Sequence, residues 1–332
     1  GGEFNAFTNY ELTFFYAKVL SKFFNNALDV ISDILKDSLF EDKFIEKERK
    51  VVLEEMNLWK DEPKSYQWYL FHKALYKNHP AKYPVIGFKE TLLRLKRNDI
   101  LDYFDKYYVP NNMVFILTGD ITPKIKSKLK KEFDELKFKP IIKPEIKEEK
   151  ENYGLRIKKR KDVIQSYFIT GFKTVTLGHE DSYALDLLSV ILGWGQSSRL
   201  FNEIRMKRGL SYDVGATHEC NKTFGYFGAY LSTEPKNLEL CKNLILNEFK
   251  LEKLTDKEID DAKNMIEGLK LLRNEDTKEL AFSLGYWENS SKAEDFYNYI
   301  KKLKKVTKQD ILRVHKKYFT GKYSEILIAK WI

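Results

Sequence analysis

At 332 residues, with 43% hydrophobic and 14% aromatic residues, the chain carries enough apolar material for two packed domains, which excludes a disordered polypeptide. Lys and Arg number 58 against 49 Asp and Glu, a net charge of +9, but the excess is Lys scattered through segments such as 124–131 with no RNP, zinc-finger or helix-turn-helix signature, so no nucleic-acid partner is expected. No apolar run is long enough to span a membrane, no signal peptide stands at Gly1, and Cys220 and Cys241 lack ligand-like spacing, which points to packed thiols in a reducing compartment such as the cytoplasm.

Residues 5–8 and 12–19, rich in Phe, Tyr and Thr, read as two strands around a turn. A helix over 22–38 follows, with Phe23, Ala27, Leu28, Ile31 and Leu35 on one side. The next helix, over 46–60, reads EKERKVVLEEMNLWK. Val51, Val52, Met56 and Trp59 form its apolar stripe, and Glu48 and Glu55, two turns apart, fall within it. A carboxylate on a buried stripe is costly unless something positive pairs with it. The residues alone leave two readings open: salt bridges to a neighbouring helix, or a metal ligand at Glu55 supported by Glu48.

A helix over 66–76, an irregular loop around His79, Pro80 and Pro84, and a helix from Asn98 to about Tyr107 come next. Residues 113–118 predict a buried strand, and Gly119-Asp120 turns into a helix over 123–136. The stretch 137–152, with two prolines and a charge run, predicts a linker. Beyond it, strands are expected at 155–158 and 163–172, a helix at 181–192, a loop at 193–198 and a helix at 199–208. A strand pair at 210–218 and 224–232, five helices between 236 and 318, and a last strand at 324–330 complete the pattern. The Gly193–Ser198 loop lacks a phosphate-binding Lys and reads as a tight turn with a helix cap. His79 and His179 read as surface loop histidines.

The two halves repeat each other. Asn98-Asp99-Ile100-Leu101, Lys106-Tyr107-Tyr108 and the segment 114–117 match Gln309-Asp310-Ile311-Leu312, Lys317-Tyr318-Phe319 and the segment 326–329. The strand–strand–helix–helix order of 5–60 recurs over 210–270. This predicts an α+β fold: two duplicated sandwich domains, 1–136 and 153–332, each a mostly antiparallel sheet covered by helices.

Several ordered stretches carry a family resemblance. They are Gly1-Gly2 with Asn5-Ala6-Phe7-Thr8 and Glu11, then Glu48-Arg49-x-Val51-Val52-x-Glu54-Glu55-Met56 with Asp61-x-Pro63, then His79-Pro80 with Pro84-Val85-Ile86-Gly87. Tyr107-x-x-Pro110-x-Asn112-Met113 and Gly119-Asp120 follow. The second half has Leu192-Gly193-x-Gly195-x-Ser197-Ser198-Arg199-Leu200-Phe201, Ile204-Arg205 and Gly209-Leu210-Ser211-Tyr212. Together they resemble the pitrilysin/insulinase-type zinc peptidases, and most closely the processing-peptidase branch. The inverted zinc motif H-x-x-E-H of that family is absent, since His72, His79, His179, His218 and His315 never show its spacing.

The resemblance implies a zinc-dependent metalloendopeptidase cleaving extended or unfolded peptides, in a chain that starts inside the first domain, before which the zinc-motif helix would lie. It implies Glu55 as the third Zn2+ ligand and Glu48 as a catalytic-site carboxylate that orients a ligand histidine. Zn2+ is then expected in the full-length protein and not on this fragment, which alone is expected to be inactive. Asn5 and Ala6 would sit on an edge strand that pairs with substrate, and Arg205 and Tyr212 would hold the substrate main chain. One chain bearing both Glu55 and the Arg205/Tyr212 pair suggests a homodimeric clamshell, or a heterodimer with a related subunit. The alternative is a non-catalytic scaffold subunit of the same fold.

Overall fold

The computed structural model describes residues 1–142, 146, 148 and 153–330. Strands β1 (Glu3–Thr8) and β2 (Thr13–Lys18) form an antiparallel hairpin with Thr8 opposite Thr13. Helices α1 (Phe24–Lys36), α2 (Asp42–Asp61) and α3 (Pro63–Leu75) follow. Only Glu62 separates α2 from α3: its side chain accepts the Ser65 N–H at 2.7 Å and Pro63 takes the first helical position, so one helix stops and the next starts within a residue. Then come α4 (Lys89–Arg94), α5 (Arg97–Tyr107) and α6 (Pro123–Phe133). The second half runs β3 (Gly154–Lys159), β4 (Ser166–Lys173), α7 (Asp181–Gly193), a π-helical turn (Phe201–Met206), β5 (Asp213–Cys220) and β6 (Gly225–Thr233). It ends with α8 (Leu238–Glu248), α9 (Asp256–Asn274), α10 (Thr277–Ser290), α11 (Ala293–Lys304), α12 (Lys308–Tyr318) and β7 (Ser324–Ala329).

The chain forms two compact units: 1–57, 85–145 and 272–296 make unit 1, and 58–84, 146–271 and 297–332 make unit 2. The division expected at the linker is therefore crossed twice. Helix α3, from the first half of the sequence, belongs to unit 2, and α10, from the second half, belongs to unit 1.

Unit 2 holds a five-stranded sheet in the order β3-β7-β4-β6-β5, antiparallel except between β3 and β7. Side chains alternate between its faces. Phe168, Phe227, Ala229 and Leu231 join one core with α7, α8, α9, α11 and α12. Ile169, Ile326 and Ile328 join the other, beneath Phe71, Ala74 and Leu75 of α3. Helix α7 is almost wholly buried, from Asp181 to Leu192.

Unit 1 repeats part of this plan. Its hairpin corresponds to β5 and β6: the Asn9 N–H meets Leu12 O at 2.9 Å as the Asn221 N–H meets Phe224 O at 2.8 Å. Helix α5 corresponds to α12, since Asp99 accepts the Lys96 N–H at 2.7 Å and Asp310 accepts the Thr307 N–H at 2.9 Å. Phe104 stacks on Tyr108 at 4.6 Å as His315 stacks on Phe319 at 4.8 Å. One face of the hairpin is covered by α10, whose Phe282 lies 5.0 Å from Phe7 and 5.4 Å from Phe14.

Two expectations change here. The segment 113–118 joins no ladder among the described residues, and Val114 is 52% exposed. Its counterpart, β7, lies between β3 and β4, and unit 1 shows no counterpart of those strands or of α7 among the described residues. A strand without a neighbour on either side cannot form a ladder. Unit 1 accordingly has a two-stranded sheet where a fuller one was expected. His79, expected at the surface, is buried against Tyr76 and Phe224.

Candidate active site

The duplication places the two acidic residues of α2. Glu62 caps α3 just after α2, as Asp276 caps α10 just after α9. Counting back from those caps, Ile45, Glu48, Val52 and Glu55 stand where α9 has Ile259, Ala262, Ile266 and Leu269. In α9, Ile259, Ala262 and Ile266 are buried in the core of unit 2. In α2 only Met56 is buried, and Glu48 and Glu55 are exposed. Of the stripe expected for this helix, Met56 is buried and Val52 and Trp59 are half-buried, while Val51 and the two carboxylates face solvent. Neither carboxylate takes a side-chain hydrogen bond or ion pair among the described residues, so the salt-bridge reading finds no support.

Arg49, beside Glu48, points about 100° round the helix from it. Its side chain is 12% exposed and donates to Leu92 O and, at 2.8 Å, to Leu95 O. Glu46 pairs with the same guanidinium at 3.0 Å.

The other predicted residues lie on two further elements. Asn5 and Ala6 sit on β1, all six residues of which are exposed, and among the described residues β1 pairs only with β2. The Ala6 N–H is taken by Asn5 Oδ1 at 2.8 Å. Arg205 is the next-to-last residue of the π-helical turn of unit 2. Its Nη1 donates to Tyr212 O at 3.0 Å, and its guanidinium lies 4.1 Å from the Tyr212 ring centre and 4.9 Å from that of Phe201. Tyr212 is 80% exposed. Stacking holds the guanidinium in place, and it has no carboxylate partner among the described residues. Gly193 seats the preceding loop: a Cβ there would lie 2.0 Å from the Ala216 N of β5.

One polar cluster escaped sequence reasoning because its members come from separate elements. Asp186 of α7 meets His218 Nδ1 at 2.7 Å and accepts the Tyr299 hydroxyl at 2.6 Å. His218 Nε2 lies 3.1 Å from Thr174 Oγ1 and 3.4 Å from Cys220 Sγ. This Cys–His–Asp set is not a nucleophile. Burial, with the Asp186 charge added, pushes the Cys220 thiol far above its ordinary range and raises Tyr299 likewise, so both stay protonated.

Among the described residues the donors do not make a zinc site. All five histidines lie in unit 2, whereas Glu48 and Glu55 lie in unit 1. His72 is buried with Nδ1 3.2 Å from Ala81 O, and burial lowers its pKa to about 4. His315 Nε2 is 2.7 Å from Phe249 O. No group of three or more His, Cys, Asp and Glu among the described residues is placed to hold a metal ion. Glu55 offers one ligand of the right type, and a full set is not found here.

Residues 1–89 match the family model described as insulinase (peptidase family M16), and residues 94–266 match that of the peptidase M16 inactive domain. The chain belongs to peptidase family M16. An uncharacterized zinc protease of Bacillus subtilis, YmxG, is 34% identical over 83% of this chain and 68% of its own length. Another from Rickettsia felis is 33% identical over 83% of this chain and 67% of its own length. The chain thus spans about two thirds of these relatives. Its fold is that of a protease from Helicobacter pylori (TM-score 0.92, 23% identity, 99% of this chain and 82% of that one). The M16 inactive domain structure from Pseudomonas fluorescens agrees (TM-score 0.86, 18% identity, 100% of this chain and 81% of that one). No described helix is long and apolar enough to cross a membrane.

Proposed function

We propose that this M16 chain is part of a zinc-dependent metalloendopeptidase that cleaves extended peptides, with Glu55 as a zinc ligand and Glu48 supporting the site. One observation carries the reading. Two carboxylates stand on the face of α2 where the duplicate helix α9 has Ala262 and Leu269, the first of them buried. Both carboxylates are exposed here and take no side-chain ion pair among the described residues, so nothing in the described fold asks for an acid at either position. The names of the relatives, zinc proteases, agree with it. The remaining ligands come from outside the described residues.

The open edge of β1 suits an extended peptide, which gains main-chain hydrogen bonds by adding as a strand beside Asn5 and Ala6. Arg205 and Tyr212 serve the substrate main chain, with two copies of the chain facing each other as a homodimer, each lending the pair to the other's site. The rival reading is a non-catalytic subunit of the same fold, and it draws on the absence of a complete ligand set among the described residues.

Glu55→Gln in the full-length protein decides between them. Loss of bound zinc and of peptide hydrolysis is expected. Unchanged zinc content and activity would sink the ligand assignment, and a wild-type protein that binds no zinc and cleaves no peptide would leave the scaffold reading standing. A single-chain mass in solution would count against the dimer.

A further inference from the structure

We propose that Arg49 is a positioning residue of the candidate site: it sets the roll of α2, so that Glu48 and Glu55 point together from its open face. Within unit 1 little else fixes that roll. Met56 is the one buried residue of α2 and Ile45 and Val52 are half-buried; beyond Asn57 the Trp59 ring meets Tyr66 and Tyr69. Arg49 is held about 100° round the helix from Glu48, on the side that carries Met56. Its guanidinium closes on Leu92 O, which also takes the Leu95 N–H at 3.4 Å, and on Leu95 O, where α4 ends. The negative end of that short helix favours a cation, and Glu46 adds a carboxylate contact from α2 itself.

Unit 2 contains the same clamp with a different residue. Lys263 of α9, the counterpart of Arg49, reaches Val306 O at 2.7 Å and Lys304 O at 3.2 Å where α11 ends. Leu95 and Val306 are equivalent, each standing just before the capped start of α5 or α12. In unit 2 the clamp is redundant for orientation, because Ile259, Ala262 and Ile266 already lock α9 into the core. In unit 1 the same contact must act nearly alone, and there it is made by the residue with the rigid, two-pronged head. The geometry matters because side-chain tips lie about 5–6 Å from the helix axis, so a roll of about 20° moves a carboxylate by about 2 Å. A displacement of that size removes a group from productive geometry.

The inference rests on the peptidase reading, and the test separates the two. In the full-length protein, Arg49→Ala is expected to lower kcat on an extended peptide by about 10- to 100-fold with KM changed less than about twofold. In protein stripped of metal with a chelator, the same variant is expected to exchange the amide hydrogens of 42–57 faster. Arg49→Lys, which can make the contact of Lys263 but without the rigid fork, is expected to fall between wild type and Arg49→Ala in both. Lys263→Ala is expected to lower Tm and leave kcat intact. An Arg49→Ala enzyme with wild-type kcat, an Arg49→Lys variant as impaired as Arg49→Ala, or a Lys263→Ala variant with the same kcat loss would overturn the assignment. If the wild-type protein cleaves no peptide, the peptidase reading fails, while exchange across 42–57 and its partial recovery in Arg49→Lys still decide the clamp.

Discussion

Asp181, fully buried at the start of α7, accepts Arg313 Nη1 of α12 at 2.7 Å. Lys317 Nζ, at 2.7 Å, and the Tyr318 hydroxyl, at 3.0 Å, complete its shell. One carboxylate thus pins the most buried helix of unit 2 to the helix that precedes β7. Burial pushes this carboxyl up, but the hydrogen bonds from Lys317, Arg313 and Tyr318 outweigh it and hold the pKa at about 2. A depressed carboxyl stabilises the fold above its unfolded pKa and loses that contribution as pH falls through the folded one. Acid titration should therefore show unit 2 weakening between about pH 4 and about pH 2. Asp181→Asn should remove that step and cost about 2–3 kcal/mol at neutral pH, read by denaturant unfolding at both pH values.

Glu48 and Glu55 behave differently in the chain as described. Both are exposed and unpaired among the described residues, so nothing local depends on their charge. Glu48→Ala and Glu55→Ala should leave Tm of the 332-residue chain within about 2 °C. A drop of many degrees would mean that the two acids serve the fold, and the functional reading of α2 would lose its basis.

The Arg205–Tyr212 contact predicts a graded response. Its guanidinium stacks on an exposed ring at 4.1 Å, an arrangement that holds direction more than it adds stability. Tyr212→Phe keeps the face of the ring and should leave peptide KM within about twofold, whereas Tyr212→Ala removes the nearer ring, leaving the bond to the residue 212 carbonyl and the Phe201 contact, and should raise KM by several-fold with little change in Tm. Equal effects from the two substitutions would show that the hydroxyl, not the stack, is what matters.

Much of this was legible in the sequence. Local features carried the duplication: the capped Asp99 and Asp310, the hairpin turns, and the Tyr108 and Phe319 positions all repeat in type and order. The two acids on one face of α2 followed from helical period. What period cannot show is which surface an apolar stripe will meet. Glu48 and Glu55 were expected on a buried stripe, but burial is a property of the partner, and the counterpart of α7 is not among the described residues. The segment 113–118 has the composition of a strand, and a ladder needs a second strand. The Asp186–His218–Tyr299 cluster joins three elements distant in sequence, and no local pattern announces it.

The exchange of α3 and α10 between the halves was equally hidden, and it can be tested. Phe71, encoded in the first half, is fully buried beneath the sheet of unit 2 with Ile169, Ile326 and Ile328. Trp68 of the same helix lies 5.7 Å from Tyr230 and 5.8 Å from Tyr226 of β6. Removing the Phe71 ring takes away a large buried side chain where the sheet backbone of β4 and β7 cannot close the gap, so Phe71→Ala should cost about 3–5 kcal/mol. Phe282, encoded in the second half, packs edge-on against Phe7, Phe14 and Tyr16 of the hairpin in unit 1. Amide hydrogen exchange should then show a crossed pattern. Phe71→Ala should loosen β4, β6 and β7, far along the chain from the substitution, and Phe282→Ala should loosen β1 and β2. Loosening confined to the half of the sequence that carries each substitution would contradict the exchange.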